Sequence, residues 1–238
     1  MRILHGTTSS ATWWVLETHI DEHEMKKLLS YLIPLTQKVE SNESGTLEIN
    51  WLDGKKMLDS KNANYSFGPL QAVLTFGLSE VSIDPTDRTL LLGMGAGSIL
   101  HPLREKFKCV GHIKAVEFDQ RVIDLAISDF GILKIDDLEI IHADASAYVA
   151  QCSEKFNLII VDLFIDNLVP EVFYSRNFWE DIVQLLESDG KIIFNAGINL
   201  GDSQKYADMV DSLETRLNLK KYESVKGINT LLIGKARG

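Results

Sequence analysis

The stretch Leu90–Leu100, "LLLGMGAGSIL", constrains the fold of this chain more than any other. Three apolar residues lead into Gly93, Gly95 and Gly97, after which apolar residues resume at helical spacing. A strand that ends in glycines and opens into a helix is the first turn of a doubly wound α/β sheet. Glycine lets the backbone bend sharply there and lie against a ligand without a Cβ in the way. Three possibilities stay open at this point: a dinucleotide's pyrophosphate, a nucleoside carrying a sulfonium, or no ligand.

Strands and helices alternate downstream of that turn. "TLLLG" precedes a helix over 98–108, with Leu100, Leu103 and Phe107 on one face. "IKAVE" precedes a helix capped by Asp119, with Ile123, Ala126, Ile127 and Phe130 inward and Gly131 ending it. "LEIIHA" and the apolar "FNLIIVD" follow, the second suited to a buried parallel position. A helix capped by Ser175, the strand "KIIFNA", a helix over 203–217 and the paired runs "YESVK" and "NTLLIGK" complete the chain. The pattern predicts a doubly wound, Rossmann-like sheet of seven strands.

Upstream, the spacing predicts one helix over 21–39, bent at Pro34, then a hairpin of "TLEINWL" and "KKMLDS" turning at Asp53–Gly54. Pro69 opens a helix with Leu70, Val73, Leu74 and Leu78 inward. The expected organisation is a small helix-and-hairpin region, 1–68, ahead of an α/β domain, 69–238. Met25 is a second candidate start, which makes 1–24 an ill-ordered extension.

Composition narrows the partners. The formal charge of −10 argues against nucleic acid and in favour of a cationic small molecule. No apolar run reaches the roughly 20 residues that span a bilayer. Cys109 and Cys152 match neither a CxxC nor a metal spacing, so a reducing, cytoplasmic setting is expected. His19 and His23 beside Glu24 lack a third ligand, and no metal is expected.

Acids mark where a ligand would sit. Glu117 closes the second strand of the alternation, 20 residues past Gly97, where a carboxylate can accept both ribose hydroxyls. Asp144 closes the third strand and Asp162 the fourth. The dinucleotide fingerprint asks for a glycine where Ser98 stands, which weakens a nicotinamide-linked oxidoreductase. Three consecutive strands ending in acids beside a glycine loop define a nucleoside-binding crevice.

Over residues 46–238 the chain resembles the spermidine synthase family, aminopropyltransferases within the S-adenosylmethionine-dependent methyltransferase superfamily. The resemblance rests on "LDG" at 52–54, Tyr65, "LLLGMGAGS", "VEFD" at 116–119, "HADA" at 142–145, "IIVDLFID" with Pro170, Glu171 and Phe173, and "GINTLLIGKA". It implies a methyltransferase-type sheet and S-adenosylmethionine or its decarboxylated form as co-substrate. Gly93, Gly95 and Gly97 would bed the methionine-derived arm, Glu117 the ribose, and Asp144 with Ala145 the adenine. Asp162 would orient the attacking amine and take its proton, with Tyr65 and Asp166 gripping the substrate. The family also pairs through its N-terminal region, which implies a homodimer.

The chain departs from the family at four places. Ala96 replaces the aspartate that holds the donor's amino group, Phe67 a glutamate, and Met57 a glutamine, while Asp166 lies four rather than three residues past Asp162. These changes point to an altered substrate or to methyl transfer, and they keep a non-catalytic nucleoside-binding relative in view.

Overall fold

The computed structural model describes residues 2–8, 11–17, 22–60, 68–165, 168–198 and 204–237. Its contacts divide the chain into two units, Met1–Gln37 with Asn50–Lys56, and Lys38–Ile49 with Met57–Gly238.

Strands β1 (Arg2–Thr8) and β2 (Ala11–Glu17) form an antiparallel hairpin. Within the extension expected over 1–24, residues 2–8 and 11–17 pair as this hairpin, while 1, 9–10 and 18–21 lie outside the described residues. Helix α1 (Glu22–Leu29) is short, and β3 (Leu35–Ser41) follows it. The single helix predicted over 21–39 is therefore wrong. Pro34 has no N–H to give a helix and pushes its predecessor toward extended backbone, so the chain leaves the helix before it. Strands β4 (Gly45–Leu52) and β5 (Lys55–Ser60) join β3 in a sheet ordered β3-β4-β5. Asp53 and Gly54, at φ 50° and 72°, make the tight hairpin turn between the last two.

Helix α2 (Pro69–Ser79) begins on its proline as predicted. The main sheet then runs through β6 (Thr89–Leu92), α3 (Leu100–Glu105), β7 (Ile113–Glu117), α4 (Gln120–Asp129), β8 (Leu138–His142), α5 (Ala145–Gln151) and β9 (Phe156–Val161). After these come α6 (Arg176–Gln184), β10 (Leu186–Gly197), α7 (Gln204–Glu214), β11 (Leu217–Val225) and β12 (Asn229–Ala236). The seven strands lie in the order β11-β12-β10-β9-β6-β7-β8. Strand β12 runs antiparallel to both neighbours, and the strands from β10 to β8 are parallel.

Alternation along each strand splits the core between the two faces. Leu90, Leu92, Ile159 and Phe194 pack with α5, α6 and α7, where Trp179 is the largest buried side chain. Leu91, Ile160 and Ile193 pack with Leu78, Leu103 and Ala126 of α2, α3 and α4. Asp119 caps α4, accepting from Arg121 and Val122 N–H, and Gly131 leaves that helix at φ 68°. The inward stripe of α4 is Val122, Ile123, Leu125 and Ala126, whereas Ile127, expected inward, is 37% exposed. Strand β10 begins at Leu186, five residues ahead of the predicted "KIIFNA", because Leu186 already pairs with Phe156.

A buried ion pair braces the opposite end of the sheet from the glycine loop. Lys191 reaches Asp87 at 3.4 Å, with both side chains 5% exposed.

Candidate functional site

The central strand β6 has β9 on one side and β7 on the other, so successive connections leave it in opposite directions. A crevice opens above the carboxyl ends of the strands at such a point. The loop that leaves β6 is tied down at once, since Gly93 and Met94 N–H donate to Val116 C=O at 3.0 and 3.1 Å. Gly93 sits at φ 84°, and a Cβ there would lie 2.1 Å from the Asp162 carbonyl oxygen. Only glycine lets the first loop and the end of β9 come this close.

Glu117, 9% exposed, fastens the loop from the other side. One carboxylate oxygen accepts from Gly95 N–H at 2.8 Å, and the other from Phe118 and Asp119 N–H at 2.9 and 3.0 Å. Burial raises the affinity of Glu117 for a proton, and these three backbone donors work against that rise by favouring the charged form. Asp144 caps α5, with one oxygen accepting from Ala147 N–H at 2.8 Å. Asp119 also accepts from the Ser41 hydroxyl at 2.6 Å.

Asp162 follows β9 directly. Burial pushes its carboxyl up to about 6, the Asn195 amide pulls it down, and the charge of Glu117 raises it further. Asn195, fully buried in β10, donates to Asp162 Oδ1 at 2.8 Å. Asn195 in turn accepts from Asn229 Nδ2 at 2.8 Å and from Gly197 N–H at 3.3 Å. A chain of amides thus runs from β12 through β10 to the carboxylate on β9.

These groups line a cavity of about 490 Å³, within the range of small-molecule sites. Gly93, Gly95, Glu117, Asp144, Ala145 and Asp162, all singled out from the sequence, come together on its wall. Gly97 does not line it; a Cβ there would meet Ile132 at 2.6 Å, so this glycine serves close packing beneath the loop. Tyr65 and Asp166 lie outside the described residues. Ala96 is buried at 1% exposure. Of the two candidate metal-binding histidines, His19 lies outside the described residues and His23 packs edge-on against Trp51 at 4.6 Å.

The charged side chains among the described lining residues are Glu43, Glu117, Asp119, Asp144 and Asp162, all acids. Such a site repels a pyrophosphate and attracts a cation. Sequence reasoning missed Glu43, Phe118, Asn195 and Asn229. The asparagines carried a readable signal: a polar amide inside an apolar strand has to find a partner. Glu43 carried none, since a charged turn residue is ordinary on any surface.

The strand order, with its single reversed strand, is that of the methyltransferase-like α/β folds. A probable spermidine synthase from Corynebacterium glutamicum matches with a TM-score of 0.61 at 17% identity, covering 85% of this chain and 77% of that one. A spermidine synthase in complex with the transition state analogue AdoDATO matches with a TM-score of 0.52 at 16% identity, covering 87% and 71%. The chain belongs to the family of the spermine/spermidine synthase domain, whose model matches residues 77–226. A polyamine aminopropyltransferase of Vibrio vulnificus is 29% identical over 112 residues, 46% of this chain and 37% of that protein. The chain spans only 26 to 37% of the length of the first curated relatives it matches.

Proposed function

We propose that this chain is a transferase that moves an alkyl group from the sulfonium of a nucleoside to an amine. The family and its polyamine aminopropyltransferase relatives favour an aminopropyl group and decarboxylated S-adenosylmethionine as donor. The observation that carries the reading is the cavity itself, lined among the described residues by five acids and no base at the carboxyl ends of parallel strands.

In this reading the Gly93 and Gly95 backbone beds the arm that extends from sulfur, and Gly97 keeps the loop folded. Glu117 accepts the ribose hydroxyls, and Asp144 accepts the adenine amino group through the oxygen its helix cap leaves over. The exposed Phe118 ring and Ala145 flank the base. By resemblance, Tyr65 and Asp166 grip the acceptor.

Asp162 carries the proton chemistry. An alkyl amine near pKa 10 arrives as an ammonium, which has no lone pair to attack with. Asp162, ionised at neutral pH with a value of about 6, binds that ammonium and takes its proton. The nitrogen pair then forms the new bond to the carbon next to sulfur, the carbon–sulfur bond breaks, and its electron pair stays on sulfur. The sulfonium becomes a neutral thioether. Proton transfer to a positioned base contributes about 10²–10⁴-fold, and holding nitrogen and carbon in line supplies more.

Methyl transfer from S-adenosylmethionine is the second reading, favoured by Ala96 in place of the acid that would hold the donor's amino group. Incubation with either donor and a panel of amines, followed by mass spectrometry, separates the two by the group gained. Transfer from neither donor overturns both in favour of a non-catalytic nucleoside binder.

A further inference from the structure

Two buried amides stand behind Asp162, one strand after another. The β9–β10 register pairs Val161 with Phe194, so Asp162 and Asn195, each one residue further on, are level neighbours. Past Asn195 the β10–β12 register slips, with Asn195 opposite Leu231 and Gly197 opposite Thr230. A bulge of this kind interrupts the ladder and re-aims side chains. Here the Gly197 N–H, at φ 88°, turns back onto the Asn195 side chain.

An amide side chain donates at one end and accepts at the other, so its orientation decides what Asp162 meets. Asn195 Oδ1 accepts from Asn229 Nδ2 at 2.8 Å and from Gly197 N–H at 3.3 Å, which leaves Asn195 Nδ2 to donate to Asp162 Oδ1 at 2.8 Å. The Gly197 contact is longer than an ordinary hydrogen bond, so Asn229 is the stronger hold. Turned over, Asn195 would set its carbonyl against the carboxylate and leave the Asn229 and Gly197 donors unpaired in the interior.

We infer that Asn229 is a positioning residue for Asp162, acting through the Asn195 amide. The inference rests on the transferase reading, in which Asp162 takes the proton of the amine. By fixing Asn195, Asn229 keeps an N–H on Asp162 Oδ1, which orients the carboxylate and favours its charged form. Oδ2, which takes no hydrogen bond among the described residues, is left for the incoming amine. Of the described acids that line the cavity with it, Glu43, Glu117, Asp119 and Asp144, Glu117 is the one whose charge bears on Asp162, and it favours the protonated form. A mere tie between β10 and β12 would stabilise the fold without touching the proton affinity of Asp162.

A carbon-13 NMR titration of the Asp162 carboxyl tests the inference, on the full chain with labelled aspartate and neither donor nor acceptor added. Asp162→Asn assigns the signal. Asn195→Leu should raise the midpoint by about 1–2 pH units and Asn229→Leu by about 0.4–1, what one charged and one neutral hydrogen bond are worth. The double variant should titrate where Asn195→Leu does, because Asn229 then has nothing to act through. The corresponding alanine variants serve the same purpose if the leucines fail to fold. An Asn229→Leu midpoint at the wild-type value overturns the inference, as does an equal shift with and without Asn195. Absence of group transfer by the wild-type chain would instead overturn the transferase reading, which the titration does not probe.

Discussion

Replacing Asp162 with asparagine should make the protein more stable and less active at once. In the native state burial raises the carboxyl from 3.8 to about 6, so the folded chain binds this proton more tightly than the unfolded chain does. For a group shifted that way, the associated stability is fully present below pH 3.8 and is lost as pH rises through about 6. The charge therefore costs at most about 3 kcal/mol at pH 8, about half of that at pH 5, and nothing below 3.8. Asparagine carries no charge to desolvate, and its carbonyl still accepts from Asn195. Thermal unfolding of Asp162→Asn at pH 8 should rise by up to roughly 6–12 °C for a chain of this size, with a smaller gain at pH 5. Turnover should fall by about 10²–10⁴. A variant no more stable than wild type at pH 8, or one whose gain does not change with pH, would show that Asp162 is not held in a strained electrostatic position.

Other outcomes follow from the same contacts. Asn195→Ala removes a hydrogen bond to a charged group, about 1.5–3 kcal/mol, so the acid limb of the rate profile should move up by about 1–2 pH units while Asp162 remains. Glu117→Gln should weaken methylthioadenosine binding by about 10–150-fold in a calorimetric titration, because the ribose and the Gly95 amide both lose their anionic acceptor. Lys191→Ala should lower unfolding free energy by about 3–5 kcal/mol in urea, since Asp87 is left charged and buried, whereas Lys191→Met with Asp87→Leu should cost far less.

The sequence made the sheet and half of the site legible for the same reason. Buried parallel strands are largely apolar runs, and acids or glycines that end them stand out against that background, as at Gly93, Glu117 and Asp162, whereas Asp144 follows the edge strand β8, none of whose residues is buried. Pro34 misled because apolar residues on both sides of it keep helical spacing even though the proline ends the helix. The hairpin of β1 and β2 was hidden by "ATWWVLE", whose consecutive apolar residues lack the alternation of a half-buried strand. The Asp162–Asn195–Asn229 chain could not be read as a unit, because its members meet only through the β9–β10 and β10–β12 registers. Glu43 reaches the cavity from a turn more than 70 residues ahead of Glu117 in the chain, a proximity no local pattern encodes.

The most direct measurement is a calorimetric comparison of decarboxylated S-adenosylmethionine, S-adenosylmethionine and NAD on the purified chain at low and moderate salt. The proposed transferase function, with a crevice whose charged lining among the described residues is all acidic, predicts saturable binding of a sulfonium donor, weakened as salt rises, and none of NAD. Binding of NAD, or indifference to both sulfonium nucleosides, would contradict it.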